Sequence, residues 1–317
     1  VHNRPQDLPI FLTVPPVQQS TPMTDMDTTI RFLPERKRNP PDRGPLIASW
    51  ALVAQHEQAK TTRLAASLPT PRTAAEALAG PNRYEWKASM TKELDSLRSY
   101  KAFRFADLPM GRKPIKMKWV FKIKQDENGE VLKFKSRLTC CGYAQRYGID
   151  YMDTFAPVAS YTAIRMVLAH AAILNWEIEQ WDIDSAFLNS RLDVPIYCVP
   201  PAFMCAPQGK HVLLLAALYG LKQGSRCFNI LMHNFLIDKC GLIQSANDPC
   251  IYMLRTPAHT ITLAIFVDDI VVTTPSKRSV DWLRNKLQGR FSMTDQGAVK
   301  WILGMHVTRD RSACTLT

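Results

Sequence analysis

Ala264-Ile265-Phe266-Val267-Asp268-Asp269-Ile270-Val271-Val272 sets two adjacent carboxylates between two apolar, β-forming runs. That pattern predicts a β-hairpin, with strands over Ile261 to Val267 and Ile270 to Thr274 and with Asp268-Asp269 between them. Asp-Asp is a poor turn, because neither residue takes positive φ readily. Neighbouring like charges also raise at least one carboxyl pKa unless a cation sits between them. A divalent metal removes both difficulties. Mg²⁺ prefers one or two carboxylates plus substrate phosphates, and a two-metal site draws its acids from more than one element. Taken alone, an Asp-Asp turn is usually polar punctuation.

A second acid lies in Gln180-Trp181-Asp182-Ile183-Asp184-Ser185-Ala186-Phe187-Leu188. Trp176 to Ile183 reads as a strand that ends by Asp182 and is followed by a tight turn. Further on, Tyr219-Gly220-Leu221-Lys222-Gln223 precedes an amphipathic helix, Ser225 to Cys240, which is apolar at Phe228, Leu231, Met232, Phe235 and Leu236 and stopped by Gly241. Lys222 and Arg226 fall near its N-terminus, where backbone amides already favour phosphate.

Upstream, Met117 to Lys124 alternates apolar and basic residues. Asn128-Gly129 then supplies the preferred two-residue type I′ turn, and a second alternating run follows. Such a turn puts Ile123 opposite Phe134 and Trp119 opposite Leu138. On the other face Lys124 meets Lys133, Lys122 meets Lys135, and Arg137 lies beside them. Like charges directly opposite destabilise a ribbon, so this face makes more sense with an anion on it. The plainer reading is that the lysines keep an exposed ribbon soluble and unpaired.

Helices are expected over Tyr84 to Leu97, buried through Trp86, Met90, Leu94 and Leu97, over Thr162 to Leu174, and over Lys277 to Leu287 behind a Ser276 cap. Strands and helices mix without a β-α-β rhythm, which gives an α+β fold. Of the 317 residues, 46% are apolar, and 40 Lys and Arg against 28 Asp and Glu leave a net charge of +12. The positive balance points to a polyanionic partner, nucleic acid first. The eight Cys show no Cys-x-x-Cys pair or zinc spacing and read as reduced thiols. No apolar run approaches the roughly 20 residues of a membrane span. The chain starts on Val without a signal-peptide pattern, so a piece of a longer, intracellular protein is expected. Residues 1–80 hold 11 of the 22 Pro and only +2 of the charge. Residues 1–70 are therefore expected to be a mostly disordered linker, with a basic knot at Arg36-Lys37-Arg38 and a short helix near Ile47 to Ala59. Order begins near Pro71.

With these motifs in hand, the chain resembles the reverse transcriptase domain of Ty1/copia-type retrotransposon polyproteins from about Pro71 to Arg309. The resemblance rests on Trp86 to Met90, Lys118 to Lys124, Gly148-Ile149-Asp150-Tyr151, Thr154-Phe155-Ala156-Pro157-Val158, Asp182 to Leu188, Leu218 to Gln223, Asp248-Pro249, Phe266 to Asp269 and Leu303-Gly304. It implies a right-hand polymerase in which residues 71–317 form fingers and palm, an antiparallel palm sheet packed on helices, with the thumb largely absent. The implied reaction is RNA-directed nucleotidyl transfer from dNTP to a primer 3′-hydroxyl. Two Mg²⁺ ions, or Mn²⁺ in their place, would be held by Asp182, Asp268 and Asp269, with Asp269 orienting more than ligating.

By the same resemblance Lys124 and Arg137 would clamp the triphosphate, and Phe187 would reject a ribose 2′-hydroxyl. Lys222 and Gln223 would touch nucleotide or template. Lys122, Lys133 and Lys135 would meet nucleic acid, and Leu303-Gly304 would grip the primer. Implied partners are an RNA or DNA template-primer, dNTPs, and the remainder of a Pol polyprotein, with integrase upstream and RNase H downstream, in a cytoplasmic particle or the nucleus. The family's Arg-Leu-Val-Ala-Lys-Gly is here Arg137-Leu138-Thr139-Cys140-Cys141-Gly142, and Ala-Pro after Lys-Gln is here Gly224-Ser225. Such drift leaves a second reading open, a non-catalytic nucleic-acid-binding remnant of a decayed element.

Overall fold

The computed structural model describes residues 68–125 and 129–317. The linker expected over residues 1–70 lies outside them except for its last three residues, as does Asn128 of the ribbon turn. Among the described residues five α-helices are formed: α1 (Ala74–Ala79), α2 (Arg83–Ser99), α3 (Tyr161–Ile173), α4 (Gly224–Asp238) and α5 (Lys277–Gln288). The strands begin with β1 (Phe103–Ala106), β2 (Met117–Gln125), β3 (Val131–Cys140), β4 (Glu177–Ile183), β5 (Arg191–Cys198) and β6 (His211–Ala216). They continue with β7 (Ile243–Gln244), β8 (Ile251–Arg255), β9 (Thr260–Phe266), β10 (Asp269–Thr274) and β11 (Met293–Ala298). Two short hairpins follow, β12 (Trp301–Ile302) with β13 (Met305–His306), and β14 (Arg309–Asp310) with β15 (Thr315–Leu316). The fold is mixed α/β with antiparallel sheets, and no described helix is long and apolar enough to cross a membrane.

Strand order β11-β4-β10-β9-β8-β7 makes a six-stranded antiparallel sheet. Alternation along the strands serves both of its faces. Trp181, Ile183, Ile265, Ile270 and Val272 pack with Phe228, Met232 and Leu236 of α4 and with Val280, Leu283 and Leu287 of α5. Ile178, Ala264 and Val271 point the other way, onto Ile164, Val167, Leu168 and Ala171 of α3. Each fully buried large side chain contributes about 1.5–3 kcal/mol. The helices start where hydroxyl caps permit. Ser160 Oγ accepts from the Ala163 amide at 3.0 Å, and Ser276 Oγ accepts from the Ser279 amide at 3.2 Å, each satisfying an amide left open by the first turn.

The second core lies under the ribbon β2–β3. Trp86, Met90, Leu94 and Leu97 of α2 are buried with Trp119, Phe121, Ile123 and Leu138, and the Trp86 ring meets Phe121 and Phe134 edge-on at 5.1 and 4.8 Å. The register is the one derived from the sequence: Trp119 opposite Leu138, Ile123 opposite Phe134, Lys122 opposite Lys135, Lys124 opposite Lys133. It shifts by one only at Gln125, which pairs with Val131.

One sequence expectation is corrected. Asp269 already pairs with Phe266, so the two-residue turn is Val267-Asp268, one residue earlier than the Asp-Asp turn expected. Ladder bonding on both sides of β10 draws Asp269 into the strand, although apolarity alone would end the run at Val267.

A buried ion cluster joins β4 to α5. Glu179, whose side chain is 4% exposed, accepts from Lys277 Nζ at 2.7 Å and is ion-paired with Arg284, which also pairs with Asp281 and Asp295. Removing one partner of a buried pair strands the other charge. Arg284→Met is therefore expected to cost about 3 kcal/mol, read as a drop of about 6–12 °C in thermal midpoint. Lys277→Met, at a side chain 66% exposed, should cost under about 1 kcal/mol. Adding Glu179→Leu to Arg284→Met should recover most of the loss, and a double variant no better than the single one would refute this account.

Candidate active site

The sheet brings the separated acids together. β10 lies beside β4 with Asp269 directly opposite Asp182, a placement that sets Cα atoms about 4.5–5.5 Å apart and both side chains on one face. Asp268 occupies the turn, and its carbonyl accepts from the Ile183 amide at 3.0 Å. Desolvation, then Asp268, Asp269 and Asp184, raise the Asp182 carboxyl to about 6. Desolvation and Asp268 likewise push Asp269 up, against a hydrogen bond from Gln180 Nε2 at 3.3 Å.

Val267, the other turn residue, has φ +58°. With positive φ at only the first turn position, the pattern is that of a type II′ hairpin, where Gly is usual. A β-branched residue there stores about 1–3 kcal/mol of backbone strain, held by the ladders on either side. Ser185, at φ +50°, opens a single turn over Ala186–Asn189 that carries Phe187. The Phe187 ring meets Tyr219 edge-on at 4.9 Å, and the Arg137 guanidinium lies 4.9 Å from the centre of the same Tyr219 ring.

Two cations of the ribbon reach this site, Lys135 acting on the Asp182 carboxyl and Arg137 lying over the Tyr219 ring. Lys122, Lys124 and Lys133 are exposed, while Lys135 and Arg137 are half-buried. Burial, then Arg137, Lys124 and Lys133, lower the Lys135 pKa, and Glu93 opposes them. Lys135 in turn acts to lower the Asp182 pKa. Glu93 of α2 accepts from the Leu138 amide at 3.1 Å, and burial raises its carboxyl pKa.

Other sequence-derived site residues fall elsewhere. Gln223 is fully buried. Its Nε2 donates to the Asp150 carbonyl at 2.9 Å and its Oε1 accepts from Gln145 Nε2 at 2.8 Å. The side chain expected to touch nucleotide or template is thus an internal brace, because both ends of its amide are used inside the protein. Lys222 is exposed, with Nζ 3.3 Å from the Tyr151 hydroxyl and 4.8 Å from the centre of that ring. Leu303 and Gly304, at φ +50° and +78°, form the two-residue turn of β12–β13, and Leu303 packs on the core cluster that holds Ile178 of β4 and Val271 of β10.

Sequence reasoning passed over Asp184, Glu93, Tyr219 and the Gln145–Asp150 pair. Asp184 stands in the same motif as Asp182, and that proximity was the available signal. The others act through tertiary contacts that no periodicity marks.

Among the described residues no three His, Cys, Asp or Glu side chains are grouped so as to hold a metal ion by themselves. Mg²⁺ needs no such cage, since it is bound by one or two carboxylates together with substrate phosphates. Burial and then the neighbouring carboxylates hold Asp182 near 6, and such an ion would relieve the repulsion among the acids.

Residues 100–317 match the model of the reverse transcriptase (RNA-dependent DNA polymerase) family, and the chain belongs to that family. Over 246 residues it is 34% identical to the retrovirus-related Pol polyprotein from transposon TNT 1-94 of Nicotiana tabacum, covering 77% of this chain and 18% of that one. It is 32% identical over 242 residues to the polyprotein from transposon RE1 of Arabidopsis thaliana, covering 75% and 16%. The chain therefore spans less than a fifth of either relative. The Ty1/copia resemblance read from the motifs is borne out by these polyproteins. A foamy viral protease-reverse transcriptase solved with double-stranded DNA overlaps 68% of this chain and 33% of its own at 12% identity and a TM-score of 0.37.

Proposed function

We propose that residues 71–317 are the fingers and palm of an RNA-directed DNA polymerase that adds dNTPs to a primer 3′-hydroxyl on an RNA or DNA template. One observation carries this reading: β4 and β10 place Asp182 opposite Asp269, beside Asp268, with Lys135 of the cationic ribbon close enough to act on the Asp182 carboxyl. Asp182 and Asp268 would hold the divalent ions, with Asp269 fixing their orientation through its place in the ladder. Bound there, Mg²⁺ supplies electrostatic stabilisation of the attacking oxygen and the triphosphate.

The protein's own part is positioning. Lys124 and Arg137 neutralise the triphosphate, with Arg137 steadied on the Tyr219 ring. Phe187, braced edge-on by the same ring, closes the space a 2′-hydroxyl would need. Lys122, Lys133 and Lys135 meet the nucleic-acid backbone, Lys222 borders the template side, and Leu303-Gly304 supports the primer. The nucleic-acid partner fits the +12 net charge, and a Pol polyprotein context fits the relatives.

Extension of a homopolymer template-primer tests the proposal. Incorporation should require Mg²⁺ or Mn²⁺ and fall to background when EDTA removes the metal. Salt-sensitive template-primer binding with no incorporation under any divalent ion would instead establish the non-catalytic remnant.

A further inference from the structure

A groove of about 540 Å³ opens between the end of α2, the Ala186–Asn189 turn, the start of β5, α4 and the segment after α5. It shares no lining residue with the carboxylates or the cationic ribbon. Asn189, Ser190, Asn234 and Ser292 make its wall polar, and Arg191 and Arg290 make it cationic. Among the described residues neither guanidinium is ion-paired with a carboxylate. Arg290 rests on the Phe291 ring at 5.1 Å. Arg284, by contrast, is neutralised by three acids. Two guanidinium forks without a carboxylate partner line one concavity, and their planar donors suit phosphate oxygens. The volume falls within the roughly 300–1,000 Å³ range of ligand sites.

We propose that this groove binds a condensed phosphate chain, either free or as the tail of a nucleotide, at a site separate from the carboxylates. The inference does not depend on the polymerase reading. Three lining residues also hold Asp184: Ser292 Oγ donates to its carboxylate at 2.8 Å, and Asn189 Nδ2 and the Tyr100 hydroxyl donate to its carbonyl at 3.4 and 3.5 Å. An anion in the groove therefore acts on the turn that carries Phe187.

Calorimetric titration of the full chain in metal-free buffer tests the site, with tripolyphosphate as probe and ATP in a parallel arm. Arg191→Gln/Arg290→Gln should weaken tripolyphosphate binding at least about tenfold with an unchanged thermal midpoint. The control variant Lys87→Gln/Lys92→Gln, at exposed lysines of α2 outside both the groove and the ribbon, should stay within about threefold of wild type. ATP binding more tightly than tripolyphosphate assigns the groove to a nucleotide tail, and equal binding assigns it to the bare chain. Equal weakening in both variants would reduce the effect to diffuse attraction by a basic surface and overturn the proposal. So would loss confined to the control variant, or no binding to the wild type. Because the titration uses neither template nor divalent ion, its failure is separable from failure of the extension assay.

Discussion

Asp182→Asn is expected to lower Mg²⁺-dependent nucleotide addition by roughly a thousandfold or more while template-primer affinity changes less than about threefold. The carboxylate would sit at the metal, and the nucleic acid would be held by cations on other elements, so the two readouts should separate. Stability provides an independent check with a sign of its own. The folded pKa of Asp182, about 6, lies above its ordinary value, so the native state takes up a proton that the unfolded chain does not bind between about pH 6 and 4. Stability from this group therefore rises as pH falls through that window. At pH 7 the charged carboxylate is a net cost, about 1 kcal/mol once solvent screening of a half-buried group is allowed for.

Without metal at pH 7, Asp182→Asn should then raise the thermal midpoint by about 2–4 °C. Saturating Mg²⁺ should narrow that gap by stabilising only the wild type. An inactive variant that is also less stable in metal-free buffer at pH 7 would mean that Asp182 serves packing and not a metal. Retained extension would end the site assignment.

How much of this could be read beforehand depended on whether a feature was periodic. The ribbon register followed from alternation and a turn type, and each of the four pairs derived from it is present. Trp86, Met90, Leu94 and Leu97 were recoverable because helical spacing puts them on one stripe. That β4 should lie against β10, and so set Asp182 across from Asp269, is a non-local pairing that no local pattern encodes. The motifs supplied it only through resemblance. Gln223 shows the opposite limit. A motif marks a position without saying which way its side chain faces, and here the amide turns inward to Gln145 and Asp150. The Val267-Asp268 turn was misplaced because a strained backbone at Val267 is tolerated only when the ladders around it are already formed.

Gly220→Ala should be among the most damaging single changes, costing at least about 3 kcal/mol and lowering the midpoint by about 6–12 °C or more. The end of β3 and the Tyr219-Gly220 turn touch backbone to backbone: the Cys140 amide donates to the Tyr219 carbonyl at 2.8 Å. A Cβ on Gly220 would lie 2.2 Å from the Cys140 carbonyl oxygen, and one on Gly142 would lie 1.9 Å from the Gly220 carbonyl oxygen. Neither obstacle is a flexible side chain, so one strand must move, and Gly220 also sits at φ +90°. Gly111→Ala isolates the conformational part, since φ there is +77° with nothing within 4 Å. It should cost only about 1 kcal/mol. Displacing β3 also pulls Arg137 off the Tyr219 ring that meets Phe187, so nucleotide addition measured well below the variant's midpoint should fall for Gly220→Ala and hold for Gly111→Ala. Equal losses of stability in the two variants would show that positive φ alone, and not the interlock of β3 with the turn, makes glycine necessary at position 220.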